Sequence, residues 1–152
     1  MGLRQKINDA LKTAMRERDK ARLSTLRLVN AALKDRDIEL RGRGDDATLS
    51  EDDIMVILGK MVKQRQESAR AYEEGGRLEL AEKERAEVRV IEDFLPKKLS
   101  NDETRAAIEA AISATGAGSI RDMGKVMGML KGKYTGQMDF GQVGPMVKDI
   151  LG

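Results

Sequence analysis

The 152 residues of this chain include no cysteine and no histidine. The first absence removes disulfides, a thiolate nucleophile and zinc knuckles. The second removes the commonest metal ligand and the usual general base near neutral pH. Tryptophan is missing too, and Tyr72, Phe94, Tyr134 and Phe140 are the whole aromatic complement. A core must therefore be built from aliphatic side chains and nine methionines. No apolar run is long enough for a membrane span. The opening MGLRQKINDALK also lacks the apolar centre of a signal peptide, so a cytoplasmic protein with no membrane partner is expected. A phosphate-binding glycine loop with its lysine, a nucleophile elbow and a Cys–His pair are all absent. A Ser-Ser-Lys amidase signature is absent as well. No catalytic residue, metal or cofactor is expected on these grounds.

Charged residues are abundant but unevenly placed. The formal net charge is +2. Residues 1–48 hold twelve Lys/Arg against eight Asp/Glu, residues 49–94 eight against twelve, and residues 95–152 eight against six. A basic start and a locally basic tail thus enclose an acidic middle, unlike a uniformly basic nucleic-acid binder. The acids Glu79, Glu82, Glu84 and Glu87 read as a solvated face, because di-metal carboxylate bundles also need histidine. Asp45 and Asp46 lack the spacing of a calcium loop, and the tripeptide Arg43-Gly44-Asp45 reads as chance. On the second helix Arg22, Arg27 and Arg36 form a spread of cations, read as solvated or as an extension of an RNA footprint. Arg65 is placed to pair with Glu84 or Glu87 across an antiparallel hairpin; the other use considered for it, with Arg77, is a partner surface.

Apolar spacing is helical almost throughout, and no stretch alternates with period two for long enough to build a sheet. The expected fold is all-α, with about four helices in residues 1–95 and three in residues 96–152. Inward-facing rows run Leu3, Ile7, Leu11 and Ala14/Met15, then Leu23, Leu26, Val29 and Leu33. The third is Ile54, Ile57/Leu58 and Met61, and the fourth Leu80/Ala81, Val88, Ile91 and Leu95. Ser50 with Asp53 and Ser100 with Glu103 have capping-box spacing. Gly75-Gly76 offers a left-handed cap, Gly116–Gly118 stops the helix around Ile108 and Ile112, and Asp139 caps the last helix. Leu95-Pro96 breaks the helical pattern and marks a boundary between two modules. Pro145 is expected inside the last helix at the cost of some distortion.

The most unusual stretch is Ser119–Gly152. Gly124 and Gly128 interrupt a good helical pattern and recur as Gly132 and Gly136. Each glycine inside a helix costs roughly 1 kcal/mol relative to alanine, so the placement needs a reason. Ile120, Met123, Met127 and Leu130 are expected to face inward, with the glycines bordering that face and Arg121, Lys125, Lys131 and Lys133 beside them. Such a strip suits either close approach of another helix or the approach of a phosphate chain between ammonium groups. With one aromatic in the strip, Tyr134, recognition of a folded RNA by backbone and shape is a better match than base stacking.

Three segments carry a resemblance to a known family: RLSTLRLVNAALKDRDIE (Arg22–Glu39), KMVKQRQESARAYEEGGRLELAEKERAEVRVIEDFLP (Lys60–Pro96) and DMGKVMGMLKGKYTGQMD (Asp122–Asp139). The chain resembles the YqeY family. Its tail is similar to the C-terminal domain of the B subunit of glutamine-dependent tRNA amidotransferase, through the last segment alone. The resemblance implies a helical two-module protein whose tail binds tRNA, with Gly124, Lys125, Gly128, Lys131 and Lys133 as the binding strip and Arg121 beside it. Where that tail pattern commonly reads LMPK, this chain reads MLKGK, without the proline. The resemblance suggests three roles: a non-catalytic tRNA-binding accessory protein, a helical adaptor for a protein of the translation or aminoacylation machinery, or a component of a tRNA-dependent amidation system. The label carbon–nitrogen ligase with glutamine as amido donor would follow from homology alone.

Overall fold

The computed structural model describes residues 2–44 and 48–152. Asp45 and Asp46, considered above for calcium and for the Arg-Gly-Asp tripeptide, lie outside the described residues. Among the described residues the chain is helical, with seven α-helices, one 3-10 turn and no strand. It divides into two compact units, Met1–Pro96 and Lys97–Gly152.

The N-terminal unit contains α1 (Leu3–Glu17), α2 (Lys20–Gly42), α3 (Glu51–Glu74) and α4 (Leu78–Glu92). Its helix ends are set by local chemistry. Arg18 closes α1 in a left-handed conformation, φ 56°, and Asp19 then accepts from the Arg22 amide to open α2. At the start of α1 the Leu3 amide donates to both carboxylate oxygens of Glu51, at 3.0 and 3.1 Å. One acid at the head of α3 therefore satisfies a helix-end donor of α1 and complements its positive end. Ser50 and Asp53 complete a reciprocal capping box on α3. Gly76, at φ +74°, makes the turn into α4.

These ends align the apolar rows into one core of Ile7, Val29, Leu33, Ile54, Leu58 and Ile91, with Leu26 also fully buried. At two expected inward positions the structure selects one residue of a pair. Ala14 is buried where Met15 is exposed, and Ala81 is buried where Leu80 is largely exposed. In each pair the smaller side chain lies inside. Arg65 pairs with Glu87 at 2.9 Å between α3 and α4, and both side chains are five-sixths covered. Arg65 also donates to the Met61 carbonyl, so its guanidinium is well satisfied.

The C-terminal unit contains α5 (Asn101–Thr115), a 3-10 turn (Ile120–Asp122), α6 (Met123–Tyr134) and α7 (Phe140–Leu151). Ser100 and Glu103 cap α5 reciprocally, and Gly116 ends it at φ 68°. Hydrogen bonding from the Ser100 backbone amide, and then from the Ser100 side chain, holds the Glu103 carboxyl below its usual range. Leu99 donates to the Gln137 carbonyl, and the Gln137 side chain donates back to Lys97, which ties the strand of chain before α5 to the α6–α7 loop. Ile108, Val126, Leu130 and Val147 form the centre of this second core. Helix α7 runs unbroken through Pro145.

Candidate nucleic-acid interface

The 3-10 turn sets the frame for α6. Ser119 Oγ accepts from the Arg121 amide at 3.3 Å, and the Asp122 carboxylate accepts from the Gly118 amide at 3.0 Å. Because this turn winds more tightly than an α-helix, Ile120 does not continue the inward row expected of it. It is 46% exposed, and Val126, absent from the expected row, is fully buried beside Leu130. Met123 and Met127 pack partly against the same core.

With Val126 and Leu130 inside, roughly 100° of turn per residue sends positions 124, 128 and 132 to the opposite side of α6. All three glycines are exposed. A Cβ placed on any of them would meet no other atom within 4 Å. At Gly144 of α7, by comparison, a Cβ would lie 3.7 Å from the Met123 methyl, an ordinary van der Waals contact. Gly132 was not among the expected site residues, although its four-residue spacing from Gly128 is the signal that identifies it. Amides within the helix are committed to carbonyls four residues back. The effect of the glycine row is therefore steric: nothing stands between the helix barrel and an approaching chain.

The four expected cations are all exposed. Lys131 and Lys125 flank the glycine row on either side by helical rotation, and Arg121 lies one turn ahead of Gly124. Lys133 is not brought to the row. It projects roughly 100° beyond Gly132, and its ammonium stands 5.6 Å from the centre of the Tyr134 ring. Tyr134 packs partly against the unit's core, so its ring is not a free stacking platform.

Among the described residues six ion pairs are formed, and all six lie in the N-terminal unit. Three acids of the C-terminal unit are turned onto backbone amides instead: Glu103 onto Ser100, Asp122 onto Gly118 and Asp139 onto Gly141. Arg121, Lys125, Lys131 and Lys133 thus have no carboxylate within ion-pair distance among the described residues. No group of three or more acids there is placed to hold a metal ion, and no helix is long and apolar enough to cross a membrane.

The model of the family described as Yqey-like protein matches residues 4–151. The chain belongs to the YqeY-like family. It is also 29% identical over 99 residues to an uncharacterized protein of Schizosaccharomyces pombe, covering 65% of this chain and 73% of the yeast protein. Family membership accounts for the two helical segments of the resemblance in the N-terminal unit as well as the glycine–lysine segment of α6.

Proposed function

We propose that this YqeY-like protein is a non-catalytic accessory protein that binds folded RNA, tRNA in the first place, through α6 of its C-terminal unit. The observation that carries this reading is the coincidence of an uncovered glycine row with cations that no acid pairs among the described residues. A phosphate–sugar chain can lie along Gly124, Gly128 and Gly132 without meeting a side chain, while Lys125 and Lys131 reach its charge from both flanks and Arg121 from the preceding turn. Such contacts fix orientation and give affinity without reading sequence. The buried flank of Tyr134 and the absence of other aromatics in the strip favour a folded RNA over an extended strand. Similarity to the amidotransferase tail supports tRNA as the particular RNA. Participation in an amidation complex would require a catalytic chain from elsewhere, because this sequence lacks a nucleophile for releasing ammonia.

The test is the affinity of the full chain for tRNA as a function of salt. Each neutralised phosphate contributes about 0.7–0.9 to the log–log slope. Substituting Lys125 and Lys131 together with alanine should lower the slope by about 1.4–1.8. Lys133→Ala, off the row, should change it by less. Unchanged tRNA affinity in the double variant would refute the assignment. A helix-docking adaptor would instead tolerate the lysine loss and fail on Gly128→Leu.

A further inference from the structure

Helix α2 carries a second cationic feature, in the other unit and independent of the glycine row. Of the arginines singled out in its sequence, Arg22 is held by Asp93 at 3.1 Å and Arg36 by Glu39 at 2.5 Å. Arg27 alone has no acid within ion-pair distance among the described residues. It is in line with Lys20, Lys34 and Arg41. The four stand seven residues apart, so each successive position drifts only about 20° round the helix. All four are exposed and unpaired among the described residues. By helical rotation Lys20 lies opposite the buried row Thr25, Leu26, Val29 and Leu33, and the stripe drifts toward the flank of that row by Arg41. Short exposed side chains, Ser24 and Ala31, fill the gaps between the first three cations. Of the helix's three acids, Asp37 is held by Arg4 and Glu39 by Arg36, which leaves Asp35 beside the stripe. Arg41 also adds weakly to the field that lowers Asp37.

We infer that this face of α2 is a docking surface for the phosphate backbone of an RNA duplex. Its positive charges recur every 10 Å or so along about 31 Å of helix, from Lys20 to Arg41. A straight row of evenly spaced cations matches a polymer of evenly spaced anions better than it matches a single ligand. An anionic membrane is the weaker candidate. A helix lying in a bilayer surface needs a broad apolar face, whereas that of α2 is buried in the core and Ile38 is the single large apolar residue in the row. The inference goes beyond the reading of α6 and shares with it only the chemistry of the partner.

The experiment uses the full chain, a short RNA duplex and tRNA, with affinity followed from about 50 to 200 mM salt. Arg27→Gln, Lys34→Gln and Arg41→Gln are combined, which keeps good helix formers at exposed positions. Three lost phosphate contacts lower the slope by about 2.7, so wild-type affinity should fall about 40-fold more over this range than that of the triple variant. A charge-loss control, Arg22→Gln with Arg36→Gln, should move the slope by much less. An unchanged slope in the triple variant, or an equal fall in the control, overturns the inference. If the triple variant loses binding to phosphatidylserine vesicles and keeps RNA affinity, the surface faces a membrane and the inference is again wrong. The Lys125/Lys131 variant run alongside separates the two surfaces. A fall there with an unchanged α2 variant leaves the α6 reading standing alone, and the converse leaves α2 alone.

Discussion

Replacing Gly128 with alanine should make the protein more stable. Gly128 is an interior residue of α6, its added Cβ would meet nothing within 4 Å, and its backbone is ordinary right-handed helix. Under those conditions alanine gains about 0.5–1 kcal/mol by restricting the unfolded chain and favouring helix. For a unit the size of Lys97–Gly152 that corresponds to a rise of about 4–8 °C in midpoint per kcal/mol, read by circular dichroism during heating. Gly124, in the first turn, and Gly132, in the last, should give smaller gains of the same sign. Gly144→Ala is the internal comparison, because its Cβ would meet the Met123 methyl at an ordinary contact distance of 3.7 Å rather than open space. A glycine that costs stability and packs against nothing is explained by something that binds over it. If Gly128→Ala lowers the midpoint, the position is not open and the steric argument for the row is wrong.

Other consequences concern the fold. Truncating Arg65 to alanine leaves Glu87 without its partner in a mostly covered setting, and should cost about 2–3 kcal/mol in urea unfolding, somewhat below a fully buried pair. Glu87→Gln should cost less because the amide still accepts from Arg65. The Arg4 guanidinium grips Asp37 through two bonds, at 3.1 and 2.6 Å, and holds its carboxyl below the ordinary 3.8. A depressed carboxyl stabilises the fold fully above that value and loses its contribution as pH falls through the folded pKa. Asp37→Asn should therefore cost about 0.5–1 kcal/mol near neutrality, with the gap from wild type closing only below about pH 3.8. Gly116 closes α5 at φ +68°; Gly116→Ala should lose about 1 kcal/mol, from the left-handed strain of a Cβ.

Much of the fold was legible because helix ends are written in short-range chemistry. Ser50 and Asp53, Ser100 and Glu103, and Gly76 and Gly116 each act within a few residues, so spacing alone identifies them. The core rows followed from helical periodicity, and the Arg65–Glu87 pair from the hairpin between α3 and α4. Periodicity failed where the winding changed. The 3-10 turn at Ile120–Asp122 carries Ile120 outward, whereas Val126 is inward by ordinary α-helical spacing, one turn before Leu130. Choices between adjacent residues, Ala14 against Met15 and Ala81 against Leu80, depend on how closely helices approach, which no single helix encodes. On α2 the charge pattern misled in the same way. Arg22 and Arg36 are taken up by Asp93, a distant residue, and Glu39, a near one. The aligned row is legible only once those pairs are removed.

On the proposed function, RNA comes to rest on the backbone along Gly124, Gly128 and Gly132. Amide spectra of the isotopically labelled full chain, recorded during titration with a short tRNA-derived hairpin, address it residue by residue. Chemical-shift changes concentrated at those three glycines and at Arg121, Lys125 and Lys131, weakening as salt rises, are the predicted result. Binding that leaves the three glycine amides unmoved while signals elsewhere shift would contradict it.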